Sequence, residues 1–61
     1  MPIEDFCRIY RLQDSVLTKF TSNSYTDAGM LRFLTIKELE TMNFMLGEIA
    51  AVCMAVEKWA L

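Results

Sequence analysis

The sequence predicts an all-α protein, a helical hairpin of two main antiparallel helices with a short helix or turn between them, assembling into a dimeric helical bundle. Three observations lead there. Apolar residues recur at spacings of three and four across two long stretches, Ile3 to Phe20 and Ile36 to Ala60, the period of an amphipathic helix. A run of small polar residues, Thr21 to Asp27, separates them, and a capping box opens the second. The expected layout is one domain over residues 1–61: a helix over about 2–20, a loop over about 21–26, a short helix or turn over about 27–34 and a long helix over about 36–60.

Pro2 suits the first turn of a helix, where its missing N–H is not needed and its φ is already helical. Ile3, Phe6, Tyr10, Leu17 and Phe20 then share one side, with Glu4, Arg8, Arg11, Ser15 and Thr18 opposite. Glu4 and Arg8 are placed for a modest surface pair. Thr21 to Asp27 consists almost entirely of residues that prefer local hydrogen bonds to a helix interior, so the first helix stops there. Ser24 with Asp27 makes a weak capping pattern ahead of Met30, Leu31, Phe33 and Leu34, and Gly29 disfavours a regular helix between them. Thr35 and Glu38 form the capping box, flanked by Leu34 and Leu39 at hydrophobic-staple positions. From Ile36 only Gly47 interrupts good helix formers, and at 1.5 Å per residue the expected helix is about 36 Å long.

Along that helix Leu39, Met42, Leu46, Ile49, Cys53, Val56 and Ala60 follow a 3-4-3-4 spacing that reads as a core seam. The apolar surface extends beyond it. Phe44, Met45, Val52 and Trp59 lie off the seam, and Ile49 to Val56 is apolar on every side. A helix apolar around its circumference needs cover on more than one side, so the expected interface comprises Leu39, Met42, Met45, Leu46, Ile49, Val52, Cys53, Val56 and Trp59. The expected partner is protein, most simply a second copy in a two-fold dimer. Gly47, Ala51 and Ala55, at spacing four, read as a line of close helix packing.

A chain of 61 residues buries only roughly 60% of its unfolded surface and gains from association. Without histidine it lacks the common general base and the commonest metal ligand. Cys7 and Cys53 form no Cys-x-x-Cys pair and read as reduced core thiols. No cofactor, metal site or catalytic residue is expected, and the function class is a non-enzymatic interaction module: adaptor, regulator or small chaperone. The acidic start and the short apolar runs read as cytoplasmic, with no membrane span. A net charge of −2 makes nucleic acid an unlikely partner. The alternative is a small nucleic-acid-binding regulator using Arg8 and Arg11.

Overall fold

In the computed structural model, which describes residues 1–60, the chain forms α1 (Ile3–Ile9), α2 (Asp14–Ser22), a 3-10 helix (Ala28–Phe33), α3 (Ile36–Thr41) and α4 (Leu46–Ala60). The fold is all-α. A single antiparallel bridge between Pro2 and Asp27 ties the segment before α1 to the one before the 3-10 helix, through Ile3 N–H to Thr26 O at 3.0 Å and Ala28 N–H to Met1 O at 2.8 Å.

Neither long helix read from the sequence is continuous: the first is α1 plus α2, the second α3 plus α4. A straight 36 Å helix would not fit a molecule measuring 25 × 20 × 20 Å. The reason lies in three turns of one design. After α1, α2 and α3 one residue adopts a left-handed conformation: Arg11 (φ 56°), Ser24 (φ 65°) and Asn43 (φ 66°). Each turn closes with the two hydrogen bonds of a Schellman motif. Arg11 N–H reaches Arg8 O and Leu12 N–H reaches Cys7 O; Ser24 reaches Thr21 and Tyr25 reaches Phe20; Asn43 reaches Glu40 and Phe44 reaches Leu39.

None of the three left-handed residues is glycine, although that conformation costs a side-chain-bearing residue about 1–2 kcal/mol. The compensation is the next residue. Leu12, Tyr25 and Phe44 each turn back to pack against the core, the last two on the Phe20 ring. Burying a side chain the size of Phe44 contributes about 1.5–3 kcal/mol, enough to outweigh the backbone cost.

Phe6 and Phe20 are fully enclosed and centre two aromatic groups. Phe6 meets Tyr10 at 4.9 Å and Trp59 edge-on at 5.7 Å. Phe20 meets Tyr25 at 5.8 Å and Phe44 at 5.2 Å. The first group joins α1 to the end of α4, the second joins α2 to the turn that precedes α4.

Ser24 closes α2 and does not cap the 3-10 helix. Asp27 does, accepting the Gly29 N–H at 2.8 Å. A Cβ on Gly29 would come within 2.9 Å of that carboxylate oxygen, so a larger residue there would push the Asp27 side chain aside. The bond also holds the Asp27 carboxyl below its usual range, helped by the terminal amine. Thr35 caps α3 by accepting the Glu38 N–H at 3.2 Å, while the Glu38 carboxylate receives the hydroxyls of Thr35 and Tyr25.

Arg11→Gly and Ser24→Gly should each raise the unfolding free energy by about 0.5–1 kcal/mol, the relief of left-handed strain less the glycine's extra unfolded-state entropy. Urea denaturation of the single variants measures this. A loss of stability would mean that the turns are not left-handed at these residues.

Candidate interaction surface

The candidate site is a face of α4, and one inward-facing carboxylate helps to orient it. Met45 precedes α4 as its N-cap, its carbonyl accepting the Ile49 N–H at 2.9 Å. Glu48 lies three residues on and returns the bond: its Oε1 accepts the Met45 N–H at 2.8 Å, the carboxylate half of a capping box. Lys19 of α2 donates to the same oxygen at 2.6 Å, and the Ser15 hydroxyl donates to Oε2 at 2.6 Å. The Lys19 ammonium also reaches the Asn43 carbonyl at 2.9 Å and lies 5.2 Å from the centre of the Phe44 ring. Lys19 first, then the Met45 N–H and Ser15, pull the Glu48 pKa down to about 2 against the opposing effect of burial.

With Glu48 turned inward, the buried stripe of α4 is Glu48, Ile49, Val52 and Ala55. The seam read from the sequence is therefore rotated. Leu39, Ile49 and Val52 are buried, and Met42, Val56 and Trp59 are half-buried against the core. Leu46 is 86% exposed, Met45 68% and Met54 57%, and Cys53 is also exposed. Cys53 is thus not a core thiol, whereas Cys7 is, and burial pushes the Cys7 thiol pKa up. The line of small residues divides as well. Ala55 is buried and Ala51 half-buried, but a Cβ on Gly47 would meet nothing within 4 Å, so no helix of this chain packs closely there.

The outward side of α4 consequently carries Leu46, Gly47, Ala50, Cys53 and Met54. Glu48 is the only charged residue from Leu46 to Val56, and it points inward. Two recesses flank this face. One, about 230 Å³, runs toward the 3-10 helix and α3 and is lined by Leu31, Leu34, Ile36, Leu39, Val52, Cys53, Val56 and Glu57. The other, about 160 Å³, runs toward the α1–α2 turn and includes Tyr10, Arg11, Leu12, Ala51, Met54 and Lys58.

A third recess, about 660 Å³, lies between α2 and the start of α4 and contains Ser15, Lys19 and Glu48. Ser15, Lys19 and Glu48 are engaged with one another there, and a carboxylate of pKa about 2 is a poor general base near neutrality. Arg8 pairs with Asp5 at 3.0 Å, not with Glu4, and Arg11 occupies the left-handed turn. Among the described residues no helix is long and apolar enough to cross a membrane.

Two outcomes are expected. Glu48 titrates near 2 in the folded chain and near 4.5 unfolded, so its stabilisation is complete above pH 4.5 and is lost as pH falls toward 2. Glu48→Gln should flatten the acid limb of a melting-temperature-versus-pH curve in that window, leaving the contribution of Asp27. Gly47→Ala should raise helix stability by up to about 1 kcal/mol at concentrations low enough to keep the chain monomeric, because the fold has room for the methyl group; an unchanged or lowered denaturation midpoint of the monomer would contradict the open geometry.

No family model matches the chain, and comparison with curated proteins and with solved structures finds no match.

Proposed function

We propose that this chain is a cytoplasmic, non-enzymatic protein-interaction module, an adaptor, regulator or chaperone-like protein, that docks other protein chains through the outward face of α4 and pairs with itself as a dimer. The observation that carries this reading is the uncharged outward side of α4 from Leu46 to Val56, with its one carboxylate turned into the molecule. A large apolar side chain in water gains roughly 1.5–3 kcal/mol when covered, and Leu46 and Met54 stand largely uncovered. Apolar helix faces of this kind are taken up by a groove or by another helix.

Phe33, 83% exposed, and Ile36, 56% exposed, add apolar surface on the 3-10 helix and α3. A standard interface needs about 800 Å² from each partner, more than one helix face supplies, so these residues belong to the rim of the proposed surface. The arginine-based nucleic-acid reading has no comparable support, since Arg8 is paired with Asp5 and the chain carries net negative charge.

Sedimentation equilibrium over a wide concentration range, with circular dichroism on the same samples, tests the proposal. The wild type should form a dimer. Leu46→Asp combined with Met54→Asp should give a monomer of unchanged helicity, because both side chains already face water. A wild type that stays monomeric at the highest concentrations would overturn self-association.

A further inference from the structure

Resting on that reading, we infer that the partner of the α4 face is a second copy of this chain packed parallel to the first, with Leu46 of each copy over Gly47 of the other and Glu57 of each paired with Lys58 of the other. The inference comes from a repeat in the positions of α4. Successive residues advance about 100° around a helix, so residues eleven apart, about three turns, fall almost in line. Leu46 and Gly47 straddle the outward line through Ala50 near the start of α4, and Glu57 and Lys58 straddle it in the same order near the end.

The recesses confirm the sides. Glu57 lines the recess with Cys53, Ile36 and Leu31, whereas Lys58 lines the opposite one with Ala51, Met54 and Arg11. Gly47 also shares a recess with Arg11 and Leu12. One edge of α4 therefore presents a projecting Leu46 and an anion, and the other presents an open space at Gly47 and a cation.

Two copies meeting along this face can be related by a two-fold axis parallel to the helices or by one perpendicular to them. The parallel axis sets opposite edges against each other at equal height. Leu46 then enters the space over the partner's Gly47, and Glu57 faces the partner's Lys58. The perpendicular axis sets like edges together with their ends exchanged, so that Glu57 and Lys58 no longer face each other across the interface and the edge carrying Arg11 and Lys58 meets its own copy, cations against cations. Among the described residues neither Glu57, Lys58 nor Arg11 has an ion-pair partner within the chain, so all three charges are free to decide the orientation. Aligned helix dipoles oppose the parallel choice, but their effect is confined to the helix ends and screened by water. Gly47 supports the same conclusion: the fold has room for a side chain there, while close approach of a partner's leucine does not.

The test measures dimer dissociation constants by sedimentation equilibrium at low salt. Lys58→Glu should weaken the dimer roughly two- to thirtyfold, the range for two exposed ion pairs lost. Glu57→Lys should do likewise, and the double exchange E57K/K58E should restore the wild-type value. Gly47→Leu should weaken association while keeping the helical spectrum. Tightening by Lys58→Glu would indicate the perpendicular axis and overturn the inference. A dimer indifferent to both the charge changes and Gly47→Leu would also overturn it, leaving self-association through another contact. A monomeric wild type would remove the proposed dimer itself.

Discussion

Each of the first three α-helices ends by placing one residue in a left-handed conformation so that the next, an apolar one, can fold back onto the core. The rest of the structure depends on that exchange. Arg11, Ser24 and Asn43 carry the backbone strain; Leu12, Tyr25 and Phe44 supply the apolar contact. In a domain of 61 residues, where total stability is small, side-chain burial of this size outweighs the local preference of the backbone. Short helices result, and they pack around Phe6 and Phe20 on every side.

Only α4 runs on for 15 residues, and it is held at both ends. Phe44 on Phe20 and Glu48 on Lys19 fix its start; Trp59 on Phe6 fixes its finish. The Lys19–Glu48 pair is largely enclosed, with 26% and 9% of the two side chains exposed. An enclosed pair recovers from its interaction much of what it lost in hydration and little more, so its larger consequence is geometric. It selects which side of α4 faces inward. A helical segment with one carboxylate, as Leu46 to Val56 is, would ordinarily turn it to water and its leucine to the core; here Glu48 is inside and Leu46 outside, because Ser15, Lys19 and the Met45 N–H together satisfy the carboxylate. That inversion leaves the outer face uncharged from Leu46 to Val56.

Part of this was legible. Thr35 and Glu38 mark the start of α3, and Ile3, Phe6, Phe20, Leu39, Ile49 and Val52 are apolar residues at helical spacing that the core takes up. The breaks were concealed by the absence of glycine or proline at Arg11 and Asn43. Weaker signals were present. An unbroken first helix would need an apolar residue at position 13 or 14, where Gln13 and Asp14 stand, and asparagine is among the side chains that best tolerate the left-handed region. Gly47 is the one interruption in the local pattern, yet it lies inside α4 while the true break falls four residues earlier.

The sequence by itself determined the helical class, because a 3.6-residue apolar period offers a sheet no face to bury, and it determined that Ile49 to Val56 would be apolar on every side, because that is a matter of composition. Tertiary structure decided where the helices stop and which way α4 faces. Both depend on contacts between residues far apart in the chain, Phe44 with Phe20 and Glu48 with Ser15 and Lys19. A local pattern records which side chains are apolar; it carries no record of which distant partner will satisfy a buried carboxylate, and that partner set the rotation of the helix.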